Sequence, residues 1–334
     1  MPLDMDWVRS AVRVADGAWS TELHARGFAS RTPAELACVE APGLVAQLAQ
    51  EYLAAGAQFL STNSFAANRL MLARRRIEAD PLERCRRAAE IALAAREAHR
   101  TAAPAAAAAR SGAARGARAD SAPRSTARGS AATAADGAPA FIIGVIGPSG
   151  TIMAVGETPV AELESCFADA AGTLAEAGVD ALLFETFSEV EELVVALRAA
   201  RGVTRLPLIA CMSFDSGPQR TRTMTGQEAG DCARALDEAE ADVIGCNCGA
   251  GAAEALPALF AVRSATRRPV WVKPNVGPPE LEGGVPVYRV SPEEFVEPFA
   301  TLIEAGANVV GGCCGASPEH IRRLAGSLRP KRGR

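Results

Sequence analysis

The sequence predicts an α/β protein folded as a single (β/α)8 TIM barrel. Eight short apolar runs alternate with amphipathic stretches of helical length, and several of those stretches end in Gly or Ala-Gly just before the next run. Apolar strands separated by helices are typical of a parallel sheet covered by helices. Eight such units in 334 residues fit a closed barrel better than an open, doubly wound sheet, which is the alternative fold.

The predicted strands follow one another in order along the chain. They are VRVADG (12–17), QFLSTNS (58–64), FIIGVIGP (141–148), ALLFET (181–186), LIACMSF (208–214), DVIGCNCG (242–249), VWVKPN (270–275) and NVVGGCCG (308–315). Each is followed by a helical pattern, from LVAQLAQEYLAAGA near the start to PEHIRRLAGSL after the last strand.

One segment, residues 101–140, interrupts this alternation. It consists mainly of Ala, Arg, Gly, Ser and Pro and lacks large apolar side chains, so it cannot bury enough surface to offset the entropy lost on ordering. We predict a disordered low-complexity insertion between helix 2 and strand 3, on the barrel face away from the catalytic loops, within one barrel domain over residues 1–330. An arginine-bearing arm for RNA or a partner is the less favoured interpretation.

Composition and charge narrow the class of protein. With 49% hydrophobic residues the chain can bury a large core, and a net charge of −4 gives no basic surface for nucleic acid. The first residues, MPLDMDWVRS, lack the apolar region of a secretory signal, and no run is long enough to cross a bilayer. We therefore expect a cytoplasmic protein without membrane or nucleic-acid partners.

The chain has nine cysteines, which in a cytoplasmic protein point to metal binding or catalysis rather than to disulfides. Cys248, Cys313 and Cys314 stand at the ends of the sixth and eighth strands, which are near neighbours around a barrel. A catalytic Zn²⁺ site usually has three protein ligands and one open position. The glycines on both sides of the Cys313–Cys314 pair permit the irregular backbone that would turn both thiols inward.

Other interpretations of the cysteines stay open at this point. Cys246 lies two residues before Cys248 and would share its face, so a closed four-cysteine structural site is an alternative. A redox pair at Cys313 and Cys314 is disfavoured because a vicinal disulfide is strained. Simple burial as small hydrophobic side chains is the interpretation for the remaining five. These are Cys38, Cys85, Cys166, Cys211 and Cys232.

Polar residues gather at the carboxyl ends of the predicted strands, which is the active-site face of this fold. Any one of them alone would pass for a turn or cap, but their coincidence at one face favours a site. They are Asp16, Thr62, Asn63, Glu185, Thr186, Ser213, Asn247 and Asn275.

These motifs resemble the homocysteine S-methyltransferase family, which includes the homocysteine-binding domain of cobalamin-dependent methionine synthase and betaine–homocysteine methyltransferase. The matching stretches run in order through nearly the whole chain: DGAWSTEL, AGAQFLSTNSF, GVIGPSG, LLFETFSEVEEL, GCNCG, KPNVG and GGCCGASPEHI. The pairing of Asn-Cys on one strand with Gly-Gly-Cys-Cys-Gly on another is highly specific.

The resemblance implies a barrel enzyme that transfers a methyl group to the thiol of homocysteine and forms methionine. It implies a Zn²⁺ held by Cys248, Cys313 and Cys314 that activates the substrate thiol, with no further catalytic residue. It also implies that Asp16 and Glu185 hold the amino-acid part of homocysteine. Asn247 and Asn275 match motif positions as well and are assigned to the lining of the substrate site.

The methyl donor stays open between a methylcobalamin or folate carrier protein, betaine and S-methylmethionine. Gly315 and the SPEHI after it are more similar to the cobalamin-linked and betaine branches. Because the barrel uses the whole chain, a separate corrinoid or folate protein would deliver the methyl group in the first case. Small departures, such as Ser20 before Thr21, leave two alternatives: another small thiol as acceptor, or a zinc-binding barrel without turnover.

Overall fold

The computed structural model describes residues 3–29, 32–114, 139–283 and 285–328. Within these residues, eight parallel strands form one sheet and two short antiparallel strands form a hairpin. The sheet strands are β1 Arg13–Val14, β2 Phe59–Ser61, β3 Phe141–Ile146, β4 Ala181–Phe187, β5 Leu208–Met212, β6 Val243–Cys248, β7 Val270–Pro274 and β10 Val309–Val310. The hairpin strands are β8 Glu280–Glu282 and β9 Val285–Val287.

The sheet closes on itself. Its order is β1-β10-β7-β6-β5-β4-β3-β2, and a parallel bridge between Ala15 and Phe59 joins the end of β1 to β2. All eight predicted strands lie where the apolar runs placed them, so the (β/α)8 barrel is confirmed and the open doubly wound sheet is wrong.

Helices connect the strands and cover the outside of the barrel. They are α1 Met5–Ser10, α2 Ser20–Ala25, α3 Ala37–Glu40, α4 Pro42–Ala55, α5 Arg69–Arg74, α6 Pro81–Ala114, α7 Val160–Glu176, α8 Val190–Val203, α9 Ala229–Glu238, α10 Leu256–Ala265, α11 Pro292–Val296, α12 Phe299–Glu304 and α13 Pro318–Ser327. The Ala-Gly stop acts as predicted at α4, which ends at Gly56 with φ 105°.

The predicted insertion overlaps the end of α6. The backbone of residues 101–114 continues that helix, and residues 139–140 lead into β3. Residues 115–138 lie outside the described residues, so their disorder stays a prediction. No helix in the described ranges is long and apolar enough to cross a membrane.

The barrel interior changes character from bottom to top. Its lower part is apolar: Phe59 packs on Trp271 with ring centroids 5.1 Å apart, and Trp7 of α1 covers Phe59 at 5.8 Å. Alternate residues of a strand point to the same face, so Lys273 follows Trp271 inward at the carboxyl end of β7. Glu185 of β4 lines the same cavity as Lys273 at this end of the barrel. The interior is thus apolar at the amino ends of the strands and charged at their carboxyl ends.

Candidate metal and substrate site

Three thiols meet at the carboxyl end of the barrel. Cys248 ends β6, and Cys313 and Cys314 follow β10. Their sulfur atoms all lie within 4.8 Å of one another, and the Sγ atoms of Cys248 and Cys313 are 3.1 Å apart. All three side chains are half-buried, so the cluster is reachable from the cavity beside it.

Irregular backbone turns these thiols toward one another. Cys248 has the left-handed φ of 63°, and Cys313 and Cys314 lie beyond the last regular residue of β10. The Cys313 N–H donates to the Pro274 carbonyl at 2.7 Å, which ties the pair to the end of β7. Gly315 completes the turn with φ 82°, where a Cβ would overlap the Tyr288 ring at 2.4 Å. The predicted departure from strand geometry is therefore present.

Cys246 is separated from this cluster. It is buried among apolar side chains between the sheet and the surrounding helices, and the three-thiol group does not include it. The left-handed backbone at Cys248 breaks the strand alternation that would have put both thiols on one face. The five other cysteines are buried, as expected for small core residues: Cys38, Cys85, Cys166, Cys211 and Cys232.

The donor set fits a soft, tetrahedral metal ion. Three thiols converge without a fourth protein ligand among the described residues, and such a set selects zinc over the oxygen-preferring cations. The pKa of Cys314 is lowered because its sulfur accepts hydrogen bonds from the thiols of Cys248 and Cys313, and from the Tyr288 hydroxyl. A thiolate is the form that binds a metal, so the cluster is already disposed toward ligation.

Asn247 and Asn275 hold the loops that carry the thiols. The Asn247 side chain accepts from the Thr186 N–H at 2.8 Å and donates to the Thr186 hydroxyl at 2.6 Å. The Asn275 side chain accepts from the Cys314 N–H at 3.0 Å and donates to the Gly249 carbonyl at 2.6 Å. Both amides thus brace the loops at the site, and the lining role predicted for Asn247 and Asn275 stays a prediction.

A cavity of about 250 Å³ adjoins the thiols. Its walls combine aromatic rings, short polar side chains and charges, a lining suited to a small polar molecule. They include Trp19, Thr62, Asn63, Phe65, Glu185, Thr186 and Lys273 together with the three cysteines.

Asp16 lies beneath this cavity, fully buried, and its carboxylate is saturated. One oxygen accepts from the Ser61 N–H at 2.7 Å and from the Trp19 indole N–H at 3.0 Å. The other accepts from the Ser61 hydroxyl at 3.0 Å and from the Lys273 ammonium at 2.7 Å. A carboxylate offers about four acceptor positions, and these four hydrogen bonds account for them; the contact of Asp16 with a substrate stays a prediction.

Glu185 is the opposite case. Its Oε2 atom is buried and has no hydrogen-bond partner among the described residues. Burial raises the pKa of this carboxyl to about 7, and the charge of Lys273 counteracts part of that rise. A buried polar atom without a hydrogen-bond partner destabilises the folded protein. Glu185 is therefore a candidate for binding a cationic or hydrogen-bonding group of a ligand.

Two residues beside the thiols and the cavity, Lys273 and Tyr288, were not predicted from the sequence. Lys273 is the one charged residue in the predicted strand VWVKPN, and a charge inside a buried strand was the signal that could have identified it. Tyr288 lies beyond the β8–β9 hairpin, and only the three-dimensional contact with Gly315 and Cys314 reveals it.

Comparison with known families gives one match over nearly the whole chain. A family model described as homocysteine S-methyltransferase matches residues 13–328. The methionine synthase of Mycobacterium tuberculosis is 34% identical over 203 residues, which are 58% of this chain and 17% of that protein. The methionine synthase of Mycobacterium leprae is 32% identical over 195 residues, 56% of this chain and 16% of that protein. The match thus spans about a sixth of the length of these relatives.

Solved structures agree with the fold. The homocysteine methyltransferase MmuM from Escherichia coli in its metallated form superimposes with a TM-score of 0.74 at 22% identity, over 98% of this chain and all of that one. Its oxidised form gives 0.71 at 23% identity, over 95% of this chain and 96% of that chain. At this level of identity the likeness supports the barrel architecture.

Proposed function

The chain belongs to the homocysteine S-methyltransferase family, and from this premise we propose that it transfers a methyl group to the thiol of homocysteine, giving methionine. The observation that supports this most is the meeting of three thiols with one unpartnered carboxylate at a single cavity. The thiols suit a metal that binds sulfur, and the carboxylate suits the ammonium group of an amino acid.

We propose that Cys248, Cys313 and Cys314 hold Zn²⁺ as three thiolates and leave its fourth position to the substrate sulfur. When bound, Zn²⁺ supplies the charge that keeps the homocysteine sulfur deprotonated and therefore nucleophilic toward the methyl carbon of the donor. Asn275 keeps Cys314 in place through its backbone, and Asn247 fixes Thr186 beside Cys248. These supports orient the tripod toward the cavity.

The amino-acid end of homocysteine is assigned to Glu185. Its carboxylate faces the cavity with a buried oxygen free to accept a hydrogen bond from the substrate ammonium. Fixing that end directs the thiol toward the cysteines and brings the two reacting groups into one geometry. Asp16 is proposed as the second contact of the substrate ammonium, and its hydrogen bonds to Ser61 and Lys273 hold its carboxylate in place beneath the cavity.

The proposal is tested by incubating the zinc-loaded protein with homocysteine and each donor in turn. The donors are betaine, S-methylmethionine, and methylcobalamin or methylfolate with a carrier protein, and methionine is measured by mass spectrometry. We expect methionine with one of them, and its loss after metal removal by a chelator. Methylation of a different small thiol, or metal binding without any turnover, would contradict the assignment. A cytoplasmic location stays a prediction from the sequence.

A further inference from the structure

We propose that Tyr288 is a positioning residue of the metal site, whose hydroxyl hydrogen-bonds to the Cys314 sulfur and withdraws negative charge from it, so that the metal can accept the substrate thiolate as a fourth sulfur. This inference rests on the proposed function, because it concerns the metal that the three cysteines are proposed to hold. Tyr288 does not line the cavity, so it acts through a metal ligand and not on the substrate.

The Tyr288 ring lies directly against the backbone that carries the thiols. A Cβ atom on Gly315 would come within 2.4 Å of the Tyr288 ring and within 2.6 Å of the Tyr288 Cβ atom. Gly315 follows Cys314, so the missing side chain of this glycine is what lets the ring lie beside the cysteine pair. The hydroxyl at the far end of the half-buried ring donates a hydrogen bond to the Cys314 sulfur.

Tyr288 is held in this place by the chain that follows it. The ring of the buried His320 donates through Nε2 to the Val290 carbonyl at 3.1 Å, and its Nδ1 accepts from the Ser317 hydroxyl at 2.8 Å. Val290 also packs on Gly277, where a Cβ atom would come within 2.8 Å of the Val290 side chain. The segment that carries the tyrosine is thus tied to the start of α13, the helix that follows the cysteine pair.

The three thiols differ in the groups that offset their negative charge. The positive charge of Lys273 acts on Cys313, and both residues line the cavity. The Thr186 hydroxyl lies 3.9 Å from the Cys248 sulfur, which is long for a hydrogen bond. Cys314 is the sulfur that the tyrosine hydroxyl reaches.

Charge builds up at this site when the substrate binds. Three thiolates on Zn²⁺ carry a net charge of about −1, and a fourth thiolate brings it to about −2. A hydrogen bond to a thiolate is charge-assisted and draws electron density away from the sulfur. Partners of metal ligands adjust the metal in this way without touching it. The Tyr288 hydroxyl therefore favours the four-sulfur state that the proposed reaction requires.

Tyr288→Phe removes only the hydroxyl and keeps the ring on Gly315. We expect the zinc dissociation constant to rise about tenfold, as is typical when a group that supports a metal ligand is lost. In the cobalt-substituted protein, the sulfur-to-cobalt charge-transfer absorption should move to longer wavelength, because a thiolate without a hydrogen bond gives up an electron more easily. A purely structural role of the ring would not move this band.

Two further variants sharpen the comparison. Arg289→Gln is the matched control, since this neighbouring side chain is exposed and pairs only with Glu280 and Glu282 of the hairpin among the described residues. It should leave the zinc affinity and the cobalt band unchanged. His320→Ala keeps the tyrosine hydroxyl but removes the tie to Val290, so the band should move in the same direction by a smaller amount.

The experiment is competition with a chromophoric chelator for the zinc affinity and absorbance of the cobalt-loaded proteins, with circular dichroism as the check of the fold. An unshifted cobalt band in folded Tyr288→Phe would overturn the inference, whether or not the zinc affinity falls. If Tyr288→Phe does not fold, His320→Ala decides, and an unshifted band there would overturn it. A wild-type protein without any sulfur-to-cobalt absorption would instead refute the proposed function, because the three thiols would then not hold the metal.

Discussion

The side-chain oxygen of Asn275 accepts a hydrogen bond from the backbone N–H of Cys314, at 3.0 Å. The other end of the same amide donates to the Gly249 carbonyl at 2.6 Å, one residue after Cys248. One side chain thus joins the two loops that carry the thiols. The geometry of the cluster depends on a residue that supplies no sulfur.

Replacing Asn275 by Ala should therefore weaken metal binding without removing a ligand. We expect the zinc dissociation constant to rise about tenfold or more, the range typical when a residue that orients metal ligands is lost. Competition with a chromophoric chelator measures this. Asn308→Ala is the matched control, since Asn308 accepts a similar bond from the Val270 N–H at the opposite end of β7. Equal zinc affinity in wild type and Asn275→Ala would contradict the supporting role.

The structure distinguishes the cysteines proposed as zinc ligands from Cys246, which lies in the core. Cys313→Ser should remove zinc and methyl transfer together, because it deletes one of the three converging sulfurs. Cys246→Ser should keep full zinc content, since Cys246 lies in the core behind the sheet. Metal analysis of the purified variants distinguishes them. Full zinc content in Cys313→Ser, or loss of zinc in a folded Cys246→Ser, would mean that the ligand set is wrong.

Glu185→Gln should weaken homocysteine binding and stabilise the metal-free, substrate-free protein at alkaline pH. Burial raises the pKa of Glu185 from 4.5 to about 7. The contribution of its protonated form to the free energy of unfolding is therefore fully present below the unfolded pKa and is lost as pH rises through about 7. The neutral amide of Gln avoids this loss. For the pKa shift of Glu185, the loss lowers the free energy of unfolding by an amount on the order of 3 kcal/mol.

Urea denaturation at about pH 5 and at about pH 8 measures this effect. The variant should gain much more on wild type at the higher pH than at the lower. The exposed Glu304→Gln is the control and should show no such gain. Equal stability of Glu185→Gln and wild type at both pH values would show that burial does not destabilise the ionised Glu185 carboxylate.

Local sequence features predicted the fold and the thiol cluster well. Apolar runs between amphipathic helices predicted all eight barrel strands, because burial on both faces of a parallel sheet leaves a continuous pattern. The glycines around Cys313 and Cys314 likewise predicted irregular backbone, since conformational freedom is a property of single residues.

Charge pairing across the barrel could not be predicted in this way. The hydrogen bonds from Ser61 and Lys273, both far from Asp16 in sequence, to the Asp16 carboxylate were not predicted. The hydrogen bonds of the Asn247 and Asn275 amides to neighbouring loops were likewise not predicted. Such contacts depend on which strand ends meet, which local patterns do not encode.

The most direct test of the central claim is X-ray absorption at the zinc edge, with and without homocysteine, on protein whose zinc content has been measured. The account predicts one zinc with three sulfur ligands and one light atom, changing to four sulfurs when homocysteine binds. Four sulfurs in both states, or protein that purifies without zinc and does not take it up, would contradict the open three-thiolate site.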